Sequence, residues 1–416
     1  MASKPPAPSP ASGKPTNPAA TSLQRKNAQR ALAAYQAMQA NFYVKDGTSL
    51  YHEAPRREGA KAYAALWPFT RALAATLDLE GVERALLPGF NSHRAMIDRL
   101  AGLDRYWDAH ANPPAYDSSV TPPHGPGGDK YYDDNAWVGL ALVQHDRLRS
   151  VASSRRRAAD LFAFALTGWD SNPSHPSPGG LFWVKQGTGR GLTDHTRHTI
   201  SNGPNAELGF HLHELTGSSA FDGDARHVGA CSMYDWVNAA LDNSRATATS
   251  ATGLYFDSLR LDGKVDRTVW TYNQGVMIGA NVLQHRLTGE ARHLARAEAI
   301  ARKTMKHFAG KYSSQPEQFN AILFRNLLLL HHATADTALK KNILLDELRS
   351  ALREEAVAVA LRPPTGLRER RRSVPLWPSD RDPTVALPRH CCWRTARSYP
   401  PSSARGAREL FESRSK

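Results

Sequence analysis

Helical periodicity runs through almost the whole of this 416-residue chain. In the first such stretch Ala31, Tyr35, Met38 and Phe42 lie three or four residues apart, which is the spacing of side chains on one face of an α-helix. Comparable apolar spacing recurs at 59–78, 91–108, 134–149, 153–166, 202–216, 222–241, 273–288, 290–309, 317–334 and 337–357. Strand-like alternation is nearly absent, so the sequence predicts an all-α fold of about eleven helices.

Three long interruptions separate these helices, at 109–130, 168–200 and 251–270, and they carry Gly, Pro, Asn, Asp and scattered aromatic residues. Loops of this length inside a compact domain tend to carry function. We therefore expect the functional site where these loops meet the helices.

A weak internal repeat relates several of the helices. Its matching segments are Val143-Gln144-His145 with Leu283-Gln284-His285, and Glu214-Leu215-Thr216-Gly217 with Arg286-Leu287-Thr288-Gly289. Carried back to the helix starts, this register aligns three polar pairs, Asp133-Asp134, Ser201-Asn202 and Asn273-Gln274. If these helices form an inner ring and the others return outside it, the pairs meet at one rim of a toroid of helical hairpins. The alternative is that each pair only caps its own helix.

Asp133 and Asp134 are the most distinctive of these pairs, and they lie between Tyr132 and Trp137 at the start of an apolar run. One carboxylate can accept the free N–H groups of a first helical turn, where negative charge is also favoured. The second is not needed for capping, and two close carboxylates are what glycoside cleavage requires. A solvated cap without further function is the alternative.

Further candidates are aromatic rings that can lie against sugars and amides that can bind hydroxyl groups. The rings are Tyr132, Trp137, Trp183, Trp270 and Tyr272, and the amides are Asn202, Asn273 and Gln274. Buried aromatic residues often only pack, so core packing is the alternative for each ring.

The sequence supports no cofactor. His195, His198, His211 and His213 lie near Asp194 and Glu214, but His211 and His213 would point about 200° apart on a helix and could not share a metal ion. The three cysteines form no disulfide framework or metal motif. A phosphate-binding glycine loop and a serine nucleophile elbow are also missing from the sequence, so nucleotide and acyl-transfer chemistry are not indicated.

Charge and composition divide the chain into three parts. Residues 1–22 are rich in Pro, Ala and Ser and are predicted to be disordered, 23–357 form the helical domain, and 358–416 form a basic tail rich in Pro, Arg and Ser. The formal net charge is +14, and 351–416 alone hold fourteen Lys and Arg against seven Asp and Glu. Because the excess charge is concentrated in such a tail, we expect no nucleic-acid partner.

Targeting signals are not apparent. The N-terminus has no apolar signal-peptide core, and no stretch approaches the ~18 apolar residues of a membrane span. The sequence as written predicts a cytoplasmic protein without a membrane span, whereas a misassigned start codon would allow a secreted one.

Three motifs taken together resemble glycoside hydrolase family 76, the α-1,6-mannanase family. They are Tyr132-Asp133-Asp134-Asn135-Ala136-Trp137, the run His198 to Pro204, and Thr271-Tyr272-Asn273-Gln274-Gly275. The similarity spans about residues 25–345 and includes Gly179-Gly180-Leu181-Phe182-Trp183 and the segment Asn320 to Leu329.

The resemblance implies an (α/α)6 barrel that hydrolyses internal α-1,6-mannosidic bonds with retention of anomeric configuration. Carried over from the family, Asp133 is the nucleophile and Asp134 the general acid/base. The physical requirement for retention is a carboxyl separation of about 5–5.5 Å, which neighbouring residues at a helix start can meet. The expected partner is α-mannan or a mannooligosaccharide, bound by a monomer.

The C-terminal part departs from the family. A six-hairpin barrel needs a twelfth helix, but from about Arg362 Pro recurs too often for a helix interior. We interpret this end as a frameshifted or replaced terminus, which leaves closure of the barrel in question. Two alternatives to hydrolysis stay open at this point: transglycosylation of cell-wall mannan-type glycans, and mannan binding without catalysis.

Overall fold

The structure, a computed structural model, describes residues 22–53, 63–245 and 252–344. Within these ranges the chain is mostly helical, which confirms the all-α prediction. The helices are α1 (Ser22–Phe42), α2 (Leu66–Glu80), α3 (Ser92–Leu103), α4 (Tyr132–Arg149), α5 (Ala152–Leu166), α6 (Thr199–Thr216), α7 (Ala230–Ala240), α8 (Thr271–Thr288), α9 (Ala291–Phe308), α10 (Glu317–Ala333) and α11, whose described residues are 337–344. Short strands lie in the loops: β1 (Trp107–Asp108), β2 (Ala115–Tyr116), β3 (Arg197–His198), β4 (Ser258–Leu259) and β5 (Val265–Asp266).

The even-numbered helices form the inner wall of a ring. α2 packs on α4, α4 on α6, α6 on α8 and α8 on α10, while α3, α5, α7 and α9 each pack outside the helix that precedes them. The inner helices α4, α6 and α8 are buried over most of their circumference because they contact neighbours on both sides and the ring interior. The doubtful twelfth helix and the predicted tail at 358–416 lie outside the described residues, as do residues 1–21.

Loops bring the starts of α4, α6 and α8 to one rim. β3, which leads into α6, pairs antiparallel with β4 in the loop before α8. The N–H of Tyr132, the first residue of α4, donates to the carbonyl of Trp183 in the loop before α6 at 3.0 Å. The long loops therefore cover the rim at which these inner helices begin.

The buried guanidinium of Arg197 fixes the loop before α6. It donates to the carbonyls of Pro176, Ser177 and Gly179 at 2.7–2.9 Å and lies 3.0 Å from a carboxylate oxygen of Asp170. A buried charge is stable only when it is paired and hydrogen-bonded, and Arg197 has both kinds of partner. The buried Arg197 side chain thus holds residues 176–179 of this loop in place.

The predicted repeat is present, but its register was wrong by one residue. α4, α6 and α8 are each 18 residues long, and each ends at a left-handed C-cap residue, Ser150, Gly217 and Gly289 respectively. These caps align Asp134-Asn135, and not Asp133-Asp134, with Ser201-Asn202 and Asn273-Gln274. The sequence does not show this register because α4 ends at Ser150, which adopts the left-handed conformation that usually favours glycine, whereas α6 and α8 end at glycine.

Two helices begin later than the periodicity predicted. α2 starts at Leu66 and not at 59, since Tyr63 forms an isolated bridge with His52 and the Leu66 N–H donates to the carbonyl of Ser118. α7 starts at Ala230 and not at 222, because the side chain of Asp224 accepts the N–H groups of Arg226 and His227 in a tight turn. At α7 local side-chain-to-backbone hydrogen bonds replace the predicted first turn. At α2 the contacts join distant segments of the chain, and the predicted residues 59–62 lie outside the described residues.

In the part of the chain described, no helix is both long and apolar enough to cross a membrane.

Candidate active site

Asp133 and Asp134 are the second and third residues of α4, at the loop-covered rim. The Nε1–H of Trp183 donates to Asp133 Oδ2 at 3.1 Å, while Oδ1 is buried and bonds to no described residue. Asp133 as a whole is half-buried, and Asp134 is buried, with 9% of its surface exposed. Two largely buried adjacent carboxyl groups exceed what a helix cap needs, which argues against the solvated-cap alternative.

The two carboxyl groups differ in their electrostatic environment. Burial raises the pKa of Asp133 to about 6, and the Trp183 N–H, the charge of His198 and the helix amide groups limit that rise. Burial and then the negative charge of Asp133 raise the pKa of Asp134 well above its ordinary value, with partial relief from Arg71. The pair is therefore poised with Asp133 ionised and Asp134 protonated near neutral pH.

A third carboxyl group, Asp257, lies in the loop before α8. The Nδ2–H of Asn273 donates to Asp257 Oδ1 at 3.1 Å, and His198 Nδ1 lies 3.6 Å from Oδ2. Burial raises the pKa of Asp257, and His198 opposes the rise. Asp257 was not predicted from the sequence because no motif surrounds it, although its loop, 251–270, was expected to be functional.

Aromatic rings and one cation line the neighbouring part of the rim. Tyr272 stacks on Phe319 with ring centroids 3.8 Å apart. Burial raises the pKa of the Tyr272 phenol, with further effects from Asp257 and Asp133. The guanidinium carbon of Arg71 lies 4.5 Å from the ring centroid of Trp67 and 4.9 Å from that of Trp137. Arg71, Phe319 and Trp67 were also missed, since α2 and α10 carry no recognisable site motif.

Trp183, which the sequence predicted to stack on sugar, hydrogen-bonds one of the two adjacent carboxyl groups in the structure. Its N–H is engaged by Asp133, and its ring is surrounded by Tyr131, His198 and the guanidinium of Arg190, with centroid distances of 4.9, 5.3 and 4.7 Å. Trp183 is therefore placed to orient the Asp133 carboxylate.

Tyr132 and Trp137 lie in the core, which agrees with core packing, the alternative to sugar binding for these rings. Tyr132 is 2% exposed and stacks on Phe164 of α5, away from the ring interior. Trp137 is 5% exposed and packs against Trp67. The structure therefore contradicts the predicted contact of Tyr132 with sugar. Although Tyr132 is next to Asp133 in the sequence, its ring points towards α5.

Asn202 and Gln274, which the sequence predicted to bind sugar hydroxyl groups, hold loop backbone in the structure. Asn202 accepts the N–H of Leu181 and donates to the carbonyls of Leu181 and His198. Gln274 accepts the N–H of Tyr255 and donates to the carbonyls of Tyr255 and Trp270. Both side chains are fully buried, so their hydrogen bonds to the loops leave no free face for a ligand.

Asn135 completes this set and had no predicted role. It accepts the N–H of Tyr116 and donates to the carbonyls of Tyr116 and Tyr131. The fourth residue of each repeated helix is thus an amide that joins the preceding loop to the helix start. We call Asn135, Asn202 and Gln274 the amide clamps.

Glycine is required in the Gly179-Gly180 segment for a structural reason. The φ angles are +100° and +78°, and a Cβ atom on Gly180 would lie 2.5 Å from the Trp236 ring. This segment leads directly to Leu181, which Asn202 holds, and then to Trp183. The contacts of Gly180 and Leu181 therefore fix the backbone that carries Trp183 to Asp133.

Among the residues that the structure describes, no group of three His, Cys, Asp or Glu side chains is placed to hold a metal ion. The carboxyl pair, the third carboxyl group and the surrounding rings are suited to acid/base and nucleophilic chemistry on a polar substrate.

Solved structures with the same fold include enzymes that act on mannose-containing compounds. A family 76 α-mannanase from Bacteroides thetaiotaomicron has a TM-score of 0.63 at 17% identity, covering 77% of this chain and 83% of that one. An inactive variant of the α-1,6-mannanase of Salegentibacter sp. HEL1_6, with two adjacent aspartates changed to asparagine and α-1,6-mannotriose bound, has a TM-score of 0.56 at 18% identity, covering 78% and 86%. A D-mannose isomerase has a TM-score of 0.52 at 13% identity, covering 79% and 86%.

These likenesses concern the fold, and they confirm the predicted (α/α)6 barrel. A search of curated protein sequences finds no match. The model of the family described as glycosyl hydrolase family 76 matches residues 27–372, which is most of the chain. The protein therefore belongs to glycosyl hydrolase family 76.

Proposed function

We propose that this protein is an endo-acting mannanase that hydrolyses α-1,6-mannosidic bonds with retention of configuration. The observation that carries the proposal is the adjacent pair Asp133 and Asp134, two buried carboxyl groups whose surroundings favour opposite protonation states. Membership of family 76 supports a glycosidase. The bound mannotriose in the Salegentibacter enzyme supports an α-1,6-linked mannan as the substrate class.

Each carboxyl group has a distinct task in this mechanism. The ionised Asp133 attacks the anomeric carbon while the glycosidic C–O bond breaks, and Asp134 gives its proton to the departing oxygen. The product of this step is a glycosyl ester of Asp133. Asp134, now a carboxylate, takes a proton from water as the water attacks the anomeric carbon and releases Asp133.

Their environments support this assignment of roles. The Trp183 N–H and the first-turn amide groups of α4 stabilise negative charge on Asp133, as a nucleophile requires. Asp134 faces the negative charge of Asp133 and so retains its proton, as a general acid requires. Asp133 is favoured as the nucleophile because Asp134 holds its proton more tightly than Asp133 does. The spacing of the two residues in the sequence does not distinguish them.

The test is proton NMR of the folded protein with linear α-1,6-mannooligosaccharides, following the anomeric signals of the earliest product. We expect the α-anomer to appear first and to be absent with Asp133→Asn. Initial release of the β-anomer would exclude retention, and no release from the folded protein would exclude hydrolysis of this substrate.

The same reaction mixtures distinguish the other activities. Products longer than the substrate would identify transfer of the glycosyl group to a second sugar, the transglycosylase alternative. Saturable binding of mannotriose without any product would identify a mannan-binding protein.

A further inference from the structure

A cleft of about 200 Å³ lies towards the end of the ring opposite the carboxyl pair. It is lined by Phe210 of α6 and by Gln284 and Leu287 of α8, together with residues of α7 and α9. Gln284 follows the amide clamp Gln274 by ten residues in α8, which separates their backbones by about 15 Å along the helix axis. The cleft is therefore distinct from the candidate active site, and the proposed mechanism does not use it.

The side-chain amide of Gln284 has no partner among the residues that the structure describes. Gln284 is 7% exposed and lines the cleft, yet its amide forms no hydrogen bond with a described residue. The clamps Asn202 and Gln274, in contrast, bond to backbone through both amide atoms. Because a buried amide without hydrogen bonds costs about 1–3 kcal/mol, we expect the occupant of the cleft to supply them.

Carboxylates and two basic groups surround the opening. The basic groups, Arg292 and His293, are both engaged by Glu290, whose Oε2 lies 2.5 Å from Arg292 Nε and 3.4 Å from His293 Nε2. Asp222 also lines the cleft, and its Oδ2 lies 2.8 Å from Nδ1 of His213. Each of these carboxylates thus has a basic neighbour within the described part of the chain.

Asp235 is the carboxylate that has none. Across the ranges that the structure describes, it forms no hydrogen bond and no ion pair. Burial raises the pKa of Asp235 in spite of the charges of His293 and Arg292, so these two groups do not compensate for the water that its carboxylate has lost.

The rest of the lining is uncharged. Burial and then the negative charges of Asp222 and Asp235 raise the pKa of the Cys231 thiol to about 11, so Cys231 carries a proton at neutral pH. Phe210 and Leu287 provide apolar surface. The cleft therefore combines an unpaired carboxylate, an unpartnered amide and an apolar wall.

A small alkylammonium ion has the chemistry that this combination recognises. Its ammonium group donates hydrogen bonds to a carboxylate and to an amide oxygen, and its hydrocarbon stem is stabilised against apolar side chains. The volume of the cleft equals that of about seven water molecules at ~30 Å³ each, which is room for a stem of about four carbon atoms. A metal ion suits the cleft less well, since no described group of three His, Cys, Asp or Glu side chains is placed to hold one.

We propose that the cleft between α6, α7, α8 and α9 binds a small alkylammonium ion. The ammonium group faces Asp235 and the Gln284 amide, and the stem lies against Phe210 and Leu287. This site is additional to the carboxyl pair and does not rest on the proposed glycosidase function.

The first experiment is a titration of the full chain with n-butylammonium at pH 7 and low salt, followed by the ¹⁵N signal of the Gln284 side-chain amide. Gln284→Met assigns that signal by its loss. We expect a saturable shift with a Kd of about 1 mM or tighter. 1-Butanol has the same stem without the charge, and it should bind at least about tenfold more weakly.

Two results of this titration would overturn the proposal. The absence of a saturable shift up to about 10 mM n-butylammonium would mean that the cleft holds only water. Equal binding of 1-butanol would mean that the apolar wall, and not the carboxylate, is responsible.

The second experiment measures the same Kd in Asp235→Asn, a change at an exposed residue of α7. We expect binding to weaken by about five- to tenfold, because the ammonium group loses its unpaired carboxylate. The matched control is Asp224→Asn, which has the same change in net charge at an exposed carboxylate that pairs with His227. Its Kd should stay within about twofold of the unmutated protein's.

The outcomes separate specific binding from other causes. Equal weakening in Asp235→Asn and Asp224→Asn would mean general attraction of cations to a negative surface, and the inference would be wrong. Asp133→Asn should leave the Kd unchanged, and a loss of binding there would place the amine at the carboxyl pair and overturn the proposal. If the protein hydrolyses no mannooligosaccharide, the proposed function fails, while the titration still decides whether this cleft binds an amine.

Discussion

The helices α4 and α6 begin in the same way and have different roles. Each is 18 residues long, ends at a left-handed residue, and has an amide clamp at its fourth position that holds the preceding loop. They differ at the second and third positions, where α4 has Asp133 and Asp134 and α6 has Ile200 and Ser201. The comparison shows that the repeated helix and its amide clamp hold the loops at the rim in both places. The proposed chemistry depends on two residues that only α4 of this pair has.

The largest effect should come from removing those two residues. Asp133→Asn and Asp134→Asn are each expected to reduce kcat by about 10³-fold or more, because the nucleophile or the general acid is lost. The matched control is Ser201→Ala, at the position in α6 equivalent to Asp134, and its activity should stay within about tenfold of the unmutated protein's. Turnover of a mannooligosaccharide measures all three. Equal losses in all three variants would break the comparison between α4 and α6.

The carboxyl group of Asp133 should also lower the free energy of unfolding at neutral pH. The pKa of Asp133 is about 6 in the folded protein against an ordinary value of 3.8, so the folded state holds its proton more tightly than the unfolded state. Stability from this group is present below pH 4 and is lost as pH rises towards 6, a loss on the order of 2–3 kcal/mol. Asp133→Asn is therefore expected to be more stable than the unmutated protein at pH 7.

Urea unfolding at pH 3.5 and pH 7 measures this difference. We expect the stabilisation by Asp133→Asn to disappear at the lower pH, whereas Ser201→Ala should show the same change in stability at both. An Asp133→Asn variant that is less stable than the unmutated protein at pH 7 would contradict the prediction.

The amide clamps should respond alike in the three helices. Asn135→Ala, Asn202→Ala and Gln274→Ala each leave buried loop N–H and carbonyl groups without partners, at a cost of about 1–3 kcal/mol. Thermal unfolding measures the loss. For Gln274→Ala in particular, a raised KM without loss of stability would show that the amide binds sugar and does not serve mainly as a clamp.

The smallest effect should come from the hydrogen bond that orients Asp133. Trp183→Phe removes the donor to Asp133 Oδ2, so the pKa of Asp133 should rise and the acid limb of kcat/KM should move to higher pH. We expect a loss of about five- to tenfold at pH 5 and little change at pH 8.

Trp236→Phe is the control for this change, since the Trp236 N–H donates to the carbonyl of Ser177 at 3.0 Å and not to a carboxylate. It should lower stability without moving the pH profile. A profile that moves equally in both variants would mean that loss of an indole, and not loss of the Asp133 hydrogen bond, is responsible.

The sequence predicted the helices well because burial on one face leaves a periodic pattern in any single helix. The starts of α4 and α8 differ by two residues from the predicted 134 and 273, and α9 and α10 agree to within one. The start of α7 was missed by eight residues, because a hydrogen-bonded turn that the apolar pattern does not record lies there. The helix α2 starts at Leu66, and the predicted residues 59–62 lie outside the described residues.

The site was predicted in part. Asp133 and Asp134 were selected because a second carboxylate at a helix start is not needed for capping, and their catalytic role stays a prediction. Asn202 and Gln274 were selected from the sequence as sugar-binding amides, and the structure shows them bonded to loop backbone. The sequence cannot separate these roles, since an amide at a rim has the same signal whether it binds a sugar or a loop.

The sequence by itself determined the all-α class, the ring of repeated helices and the position of the acidic pair, because these follow from spacing along one chain. Only the tertiary structure decided which side chains surround that pair. Asp257, His198 and Arg71 come from three separate loops and helices, and their effect on Asp133 and Asp134 depends on burial and distance. Electrostatic interactions act through space, so they are decided where the folded elements meet.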